Sequence, residues 1–123
     1  MKKALAIAGI LALSITPTAS FADHLEPKES EIRQGGNLAH TNLSGRNLSG
    51  VDLMGADLSL ADLSNVNLSN VNLSYANMRF ARLFDANLSG ADLGYANLDD
   101  ADLSGADLSG VNLTAVSYTH LRA

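Results

Sequence analysis

A leucine recurs at every fifth residue from Leu38 to Leu113, and Met78 is the single interruption over sixteen units. A period of five fits neither the 3.6-residue period of an α-helix nor the two-residue period of a β-strand. Such self-similarity is typical of repeat architectures, in which each short unit buries its apolar side chains only by stacking on its neighbours. The period therefore restricts residues 38–113 to a solenoid before any other feature is considered.

The repeated unit reads Ala-(Asp/Asn)-Leu-Ser-Gly, and residues 106–110 match it at every position. The first position is Ala or Val in thirteen of the sixteen units, and the second is Asn or Asp in every unit except at Arg82. Two apolar residues in every five suit a coil in which each unit makes one flat side. The predicted structural core is formed by the third position of the unit: Leu53, Leu58, Leu63, Leu68, Leu73, Met78, Leu83, Leu88, Leu93, Leu98, Leu103 and Leu108.

Residues 36–115 strongly resemble the pentapeptide-repeat family through this unit. The resemblance implies an all-β fold, a right-handed quadrilateral β-helix with four units and twenty residues in each coil. The repeat region then forms about four coils, 36–55, 56–75, 76–95 and 96–115. At ordinary inter-strand spacing these coils make a rod roughly 20 Å long.

Residues 1–22 are predicted to be a signal peptide. Two lysines precede an apolar run of about a dozen residues, and Ser20 and Ala22 are the small residues expected before a cleavage site at Asp23. The sequence contains no cysteine, which excludes a lipoprotein anchor and any disulfide. We therefore expect a bacterial periplasmic or secreted protein without a stable membrane anchor after cleavage, and an uncleaved anchor is the alternative.

Residues 23–35 are predicted to be a linker or a short capping helix. Pro27 suits the first position of a helix, and Gly35 with Gly36 suits its end. Such a helix, from about residue 27 to residue 34, would place Ile32 over the first coil. The polar composition of the segment favours a disordered linker almost equally.

Residues 116–123 depart from the repeat, because Tyr118 stands where the next leucine is expected. The octapeptide is similar to one reading frame of the transposase end sequence used in DNA library preparation. We therefore interpret it as a non-native tail added to a metagenomic fragment, so that the natural chain continues differently after residue 115. The alternative is a genuine cap, with Val116 and Tyr118 covering the last coil.

A twenty-residue coil also predicts which polar side chains stack. One column contains Asp52, Asn72, Asp92 and Asn112, and another contains Asn42, Asp62, Arg82 and Asp102. Arg79 is expected above Asp99. Opposite charges on neighbouring strands stabilise a sheet by roughly 0.2–1 kcal/mol, so much of the Asp/Asn choice is expected to serve the stability of the coils.

The coil 76–95 is the most irregular, and it carries the predicted partner contact: Arg79, Phe80, Arg82 and Phe84. Exposed aromatic rings beside arginines are the residue types that protein interfaces favour. A tolerated set of surface substitutions is the alternative interpretation. Under the contact hypothesis, self-association and a separate partner both remain open.

Catalytic chemistry finds little support in the sequence. His24 and His40 are the only histidines before the tail, and the serines recur as a repeat position without a base beside them. The carboxylates Asp99, Asp100 and Asp102 lack the spacing of a metal-binding loop. We predict no catalytic, metal or cofactor-binding residue and no cofactor.

The formal net charge of −5 argues against non-specific nucleic-acid binding. The leading hypothesis is a non-enzymatic structural and protein-interaction scaffold with a protein or cell-envelope partner. The family resemblance implies a second hypothesis, a gyrase-interacting protein whose acidic rod mimics DNA. A third is a spacer region of a truncated larger protein.

Overall fold

The computed structural model describes residues 29–123. The predicted signal peptide, His24 and the start of the predicted capping helix lie outside the described residues. The β-bridges are all parallel, and each joins residues twenty apart, from Asn37 with Asp57 to Asp102 with Arg122. Four pentapeptides therefore complete one turn of the coil, and the predicted stacking columns follow from the bridges.

The four sides of the coil are named here by their residues. The first face contains 36–40, 56–60, 76–80 and 96–100. The second face contains 41–45, 61–65, 81–85 and 101–105. The third and fourth faces follow in the same order, beginning at residues 46 and 51. Within each face, successive coils are joined by a β-bridge at one residue of each unit, and turns connect neighbouring faces. The 3₁₀ helix Glu29–Glu31 precedes the first face.

The hydrogen-bond acceptor of a backbone N–H depends on its position within the unit. In the unit 56–60, Asp57 N–H donates to the coil before, while Leu58 N–H and Leu60 N–H donate to the coil after, at 2.7–2.9 Å. Ala56 N–H closes the preceding turn on Leu53 C=O at 3.0 Å. The remaining N–H, that of Ser59, donates to Asp57 Oδ1 at 3.1 Å. Each N–H of this unit thus has an acceptor, which a buried backbone requires.

The Asn or Asp at the second position therefore has a structural role that the repeat pattern alone did not reveal. Its Oδ1 accepts the backbone N–H of the fourth residue and often the hydroxyl of the serine there. At Asn72 the two distances are 3.1 Å from Ser74 N and 2.6 Å from Ser74 Oγ. Asn side chains also donate to the coil before, as Asn112 Nδ2 does to Asp92 Oδ1 at 2.9 Å. In another column, Asn77 Nδ2 donates in the same way to Asp57 Oδ1, at 3.4 Å.

The first and third positions of each unit fill the interior of the coil. All predicted core residues from Leu53 to Leu103 are buried, and Ala or Val side chains lie between them. Leu108 is only partly buried, because no described residue twenty positions later covers it. Each buried leucine contributes roughly 1.5–3 kcal/mol, so the interior columns are the main source of stability.

The fifth position of every unit has a left-handed backbone, with φ between 55° and 74°. With the bond from the next N–H to the leucine C=O, this positive φ is the signature of a type II turn. Glycine adopts such a φ without cost, and Asn tolerates it. Leu60, Tyr75, Phe80 and Tyr95 adopt it as well, although a bulky side chain at positive φ costs about 1–3 kcal/mol.

The N-terminal end of the coil is closed by the segment before it. Ile32 is buried in the core cluster, and Glu31 Oε1 accepts Asn37 N–H at 2.8 Å, where no earlier described coil supplies a carbonyl. Gly36 allows this close approach, because a Cβ there would overlap Glu31 C=O. The described part of the segment forms only the three-residue helix Glu29–Glu31, followed by turns as far as Gly35.

Residues 116–123 continue the register of the coil. Ser117 bridges to Asn97, and Val116 and Leu121 pack partly against the core, while Tyr118 is 64% exposed. Val116 and Leu121 are the apolar residues at the first position of their units, which explains the continuation. Across residues 29–123, no helix has the length and apolar character that crossing a membrane requires.

The left-handed turns predict a graded cost at Gly50, whose φ is 73° and whose absent Cβ would meet no atom within 4 Å. We expect Gly50→Ala to lower the free energy of unfolding by about 1–2 kcal/mol, from backbone strain alone. Gly50→Asn should cost less, since Asn tolerates this φ. Urea denaturation measures both variants, and equal losses would contradict the argument.

The Asx–Ser bond predicts a titration effect at Asp107. The Ser109 hydroxyl, followed by the Ser109 N–H, holds the pKa of Asp107 below its usual value of 3.8. Ser109→Ala should raise this pKa toward 3.8 without reaching it, because the N–H remains. Carbon-detected NMR titration measures the shift. Ser69→Ala is the control, since its acceptor Asn67 does not titrate, and an unmoved Asp107 in the Ser109 variant would refute the effect.

Acid should weaken the coil for the same reason. Hydrogen bonds from Ser104, with attraction to Arg122 and Arg82, lower the pKa of Asp102, and bonds from Ser117 and Thr119 lower that of Asp99. A carboxyl with a lowered folded-state pKa stabilises the fold above its unfolded pKa, and this stability is lost as pH falls through the folded value. We expect the free energy of unfolding to decline as pH falls below about 4. A constant value down to pH 2 would contradict this.

Candidate functional site

The predicted contact residues lie side by side along the coil 76–95, from the turn between the first and second faces to Phe84, which begins the turn between the second and third faces. Arg79 and Phe80 form the turn that ends the first face, and Arg82 and Phe84 follow on the second face. We call these four residues the Arg–Phe corner. Phe80 is 45% exposed and Phe84 38% exposed, so both rings present substantial apolar surface. Ala81 and Leu83 are buried in the core, as the first and third positions of neighbouring units are.

Arg79 is oriented by two neighbours. Its Cζ lies 5.0 Å from the centroid of the Phe80 ring, a cation–π contact that contributes about 0.5–1 kcal/mol at an exposed site. Its Nη2 lies 3.9 Å from Asp100 Oδ2. The expected neighbour Asp99 is next in the column, but it accepts Ser117 Oγ at 2.7 Å and Thr119 N–H at 2.8 Å. The ion pair of Arg79 is therefore with Asp100.

Arg82 lies between two carboxylates, as the twenty-residue column predicted, because its backbone forms β-bridges with Asp62 and Asp102. Burial raises the pKa of Asp62, but bonds from Ser64 and attraction to Arg82 outweigh that effect and leave it lowered. Attraction between exposed opposite charges contributes only about 0–1 kcal/mol. The arginines thus remain in contact with water and available to a partner.

The unit 81–85 lacks the side-chain bond that the second position otherwise makes. Arg82 has no acceptor atom in its side chain, so it cannot accept Phe84 N–H in the way that Asp62 Oδ1 accepts Ser64 N–H at 3.0 Å. Phe84 in turn replaces the serine hydroxyl. Between residues 36 and 115 this is the single unit without Asn or Asp at its second position.

Three exposed apolar residues outside the predicted set lie near the corner. Leu60 precedes Phe80 in its column, and the Tyr75 and Tyr95 rings stack with centroids 5.0 Å apart and planes 5° apart. The two columns occupy the turns at either edge of the first face. Their signal in the sequence is a bulky apolar or aromatic residue at the fifth position of the unit. The other fifth positions in coils 56–75 and 76–95 are Gly, Asn or Asp.

The residues considered for other chemistry do not come together. His40 is exposed in a turn of the coil 36–55, and Asp99, Asp100 and Asp102 follow the chain around one corner. Within residues 29–123, no group of three or more His, Asp or Glu side chains is arranged to hold a metal ion.

Known proteins share this architecture. A family pattern described as "Pentapeptide repeats" matches in eight copies over residues 35–70, 53–90 and 81–117. The pentapeptide repeat protein Rfr23 from the cyanobacterium Cyanothece 51142 is 36% identical, with a TM-score of 0.72 over 72% of this chain and 61% of Rfr23. The chain thus matches about three-fifths of that protein's length.

The pentapeptide repeat protein alr5209 from Nostoc Pcc 7120 is 33% identical, with a TM-score of 0.59 over 69% of this chain and 82% of alr5209. No curated protein sequence matches the chain significantly. Proteins with these repeats form right-handed quadrilateral β-helices and are generally structural or interaction proteins without catalytic activity. Since the repeats cover more than half of its residues and its coil turns once in four units, the chain belongs to the pentapeptide-repeat family.

Proposed function

We propose that this protein is a non-enzymatic scaffold that binds a protein in the bacterial periplasm or outside the cell, with the Arg–Phe corner as its contact surface. The rod would comprise four complete coils, 36–55, 56–75, 76–95 and 96–115. The observation that carries the proposal is the unit 81–85, which gives up a local stabilising bond where exposed aromatic and cationic side chains accumulate.

The lost bond has a cost. A hydrogen bond of this kind contributes about 0.5–1.5 kcal/mol, and the other units from 36 to 115 keep an Asn or Asp that makes it possible. Ala81 and Leu83 retain the core pattern, so the change affects the surface alone. Departures from a locally consistent pattern are expected at functional sites. A binding role for Arg82 and Phe84 accounts for the departure.

The dimensions of the rod restrict the kind of contact. One face of four coils is roughly 20 Å long and about 10–15 Å wide, which is a few hundred Å². A standard protein interface buries about 800 Å² on each partner. A partner must therefore reach around a corner onto two faces, and the Arg–Phe corner supplies side chains on both.

The compartment is proposed from residues 1–22, which have the charge, apolar length and small residues of a signal peptide. The partner is accordingly expected in the cell envelope or the medium. The gyrase-interacting alternative stays a prediction, which a DNA-supercoiling assay with the mature protein tests.

Site-specific photo-crosslinking in intact cells tests the proposal. We expect a photoreactive phenylalanine analogue at Phe84 to form adducts with envelope or secreted protein. The matched control is the same analogue at Ser89, which occupies the equivalent fourth position in the same coil but on the third face. This position should give little or no adduct.

Two outcomes would contradict the proposal. Adducts formed only with cytoplasmic proteins would remove the proposed compartment, and equal adducts at residues 84 and 89 would show that the corner is not a specific surface. Purified variants should keep the circular dichroism spectrum of the unmodified rod, because Phe84 and Ser89 both lie outside the buried core.

A further inference from the structure

Charge reverses sign between successive coils on the Arg–Phe corner. Arg79 and Arg82 belong to the coil 76–95, and Asp99 and Asp102 occupy the same two columns in the coil 96–115. Asp100 adds a third carboxylate beside Asp99. Successive coils are about 4.8 Å apart. A row of positive side chains and a row of negative side chains therefore lie next to each other along the rod axis.

Pairing within one chain leaves much of this charge exposed. The single ion pair that Arg79 makes within residues 29–123, with Asp100, is long at 3.9 Å, and the Arg79 side chain keeps 48% of its surface exposed. Arg82 is exposed as well. Phe80 and Phe84 add apolar surface beside the positive row. Asp99 and Asp102 are half-buried and accept their hydrogen bonds at Oδ1, and within residues 29–123 no bond is made at Oδ2 of either. The corner therefore offers carboxylate oxygens, guanidinium groups and apolar area to a second molecule.

These two rows are complementary to themselves after a two-fold rotation. Consider an axis perpendicular to the rod that passes between the coils 76–95 and 96–115. It places Arg79 and Arg82 of one copy opposite Asp99 and Asp102 of the other. By symmetry, Asp99 and Asp102 of the first copy lie opposite Arg79 and Arg82 of the second. In a parallel arrangement with the same coils facing each other, the positive row of one copy would lie opposite the positive row of the other. Such opposed like charges are unfavourable.

We infer that the Arg–Phe corner docks a second copy of this chain in antiparallel orientation, with Phe80 and Phe84 covered at the contact. The inference rests on the proposed function of this corner as a contact surface, and it names the partner. Because two faces meet at the corner, each copy buries a few hundred Å², less than a standard interface. The dimer is accordingly transient, with dissociation in about the micromolar to millimolar range.

Charge exchange between the two rows tests the docking. The acidic variant is Arg79→Asp with Arg82→Asp, and the basic variant is Asp99→Arg with Asp102→Arg. Each new residue type already occurs in the same column of the coil, so the substitutions are compatible with the fold. Sedimentation velocity from about 10 µM to 1 mM should show at least a tenfold weaker self-association of either variant alone.

Mixing the two variants in equal amounts should restore dimers of one acidic and one basic chain. A third variant that carries all four substitutions reverses the order of the rows but keeps them self-complementary, so it should dimerise like the wild type. Circular dichroism and thermal unfolding verify that each rod is folded. A wild type that stays monomeric over the whole range would overturn the inference, and so would a mixture that fails to restore dimers.

The crosslinking experiment separates this inference from the proposed function. A wild type that stays monomeric, together with specific adducts of a different envelope protein at residue 84, removes self-docking and leaves the proposed function intact. Adducts at residue 84 with twice the mass of the chain support self-docking in cells. A monomeric wild type with no specific adduct at residue 84 removes both.

Discussion

The parallel hydrogen bonding between residues twenty apart is the constraint on which the rest of this structure depends. Leu58 N–H and Asp62 N–H, for example, each have a carbonyl acceptor one coil away, at 2.7 Å and 2.9 Å. An insertion of one residue would displace every later acceptor and move every later leucine out of the core. The strict five-residue spacing is therefore a condition for burying the backbone as well as the side chains.

This register divides the five positions by function. The first and third positions supply the core, and the second supplies the acceptor that the fourth N–H lacks. The turn then requires a positive φ at the fifth position, which glycine and asparagine adopt at low cost. Side-chain identity is free to vary mainly at the fourth position, and at the fifth with a cost in backbone strain.

The sequence predicted the core and the columns because both follow from spacing. The buried series from Leu53 to Leu103 and the placement of Arg82 between Asp62 and Asp102 need only the twenty-residue coil. The bond between Asx and the fourth residue was not predicted, because its geometry depends on a turn whose dihedral angles the pattern does not specify. The column likewise predicted Asp99 as the neighbour of Arg79, but the ion pair is with Asp100. A long side chain at a turn reaches either residue.

Exposed side chains of the corners consequently carry most of the information that distinguishes one such rod from another. A bulky residue at the fifth position costs about 1–3 kcal/mol in backbone strain, so random drift should favour glycine or asparagine there. The four bulky residues Leu60, Tyr75, Phe80 and Tyr95 lie at the two edges of a single face. Stacking of Tyr75 on Tyr95 offsets part of the strain in one column, about 0.5–1.5 kcal/mol. Leu60 and Phe80 have no such ring pair between them, and the Phe80 ring is instead contacted by the Arg79 guanidinium, whose Cζ lies 5.0 Å from the ring centroid.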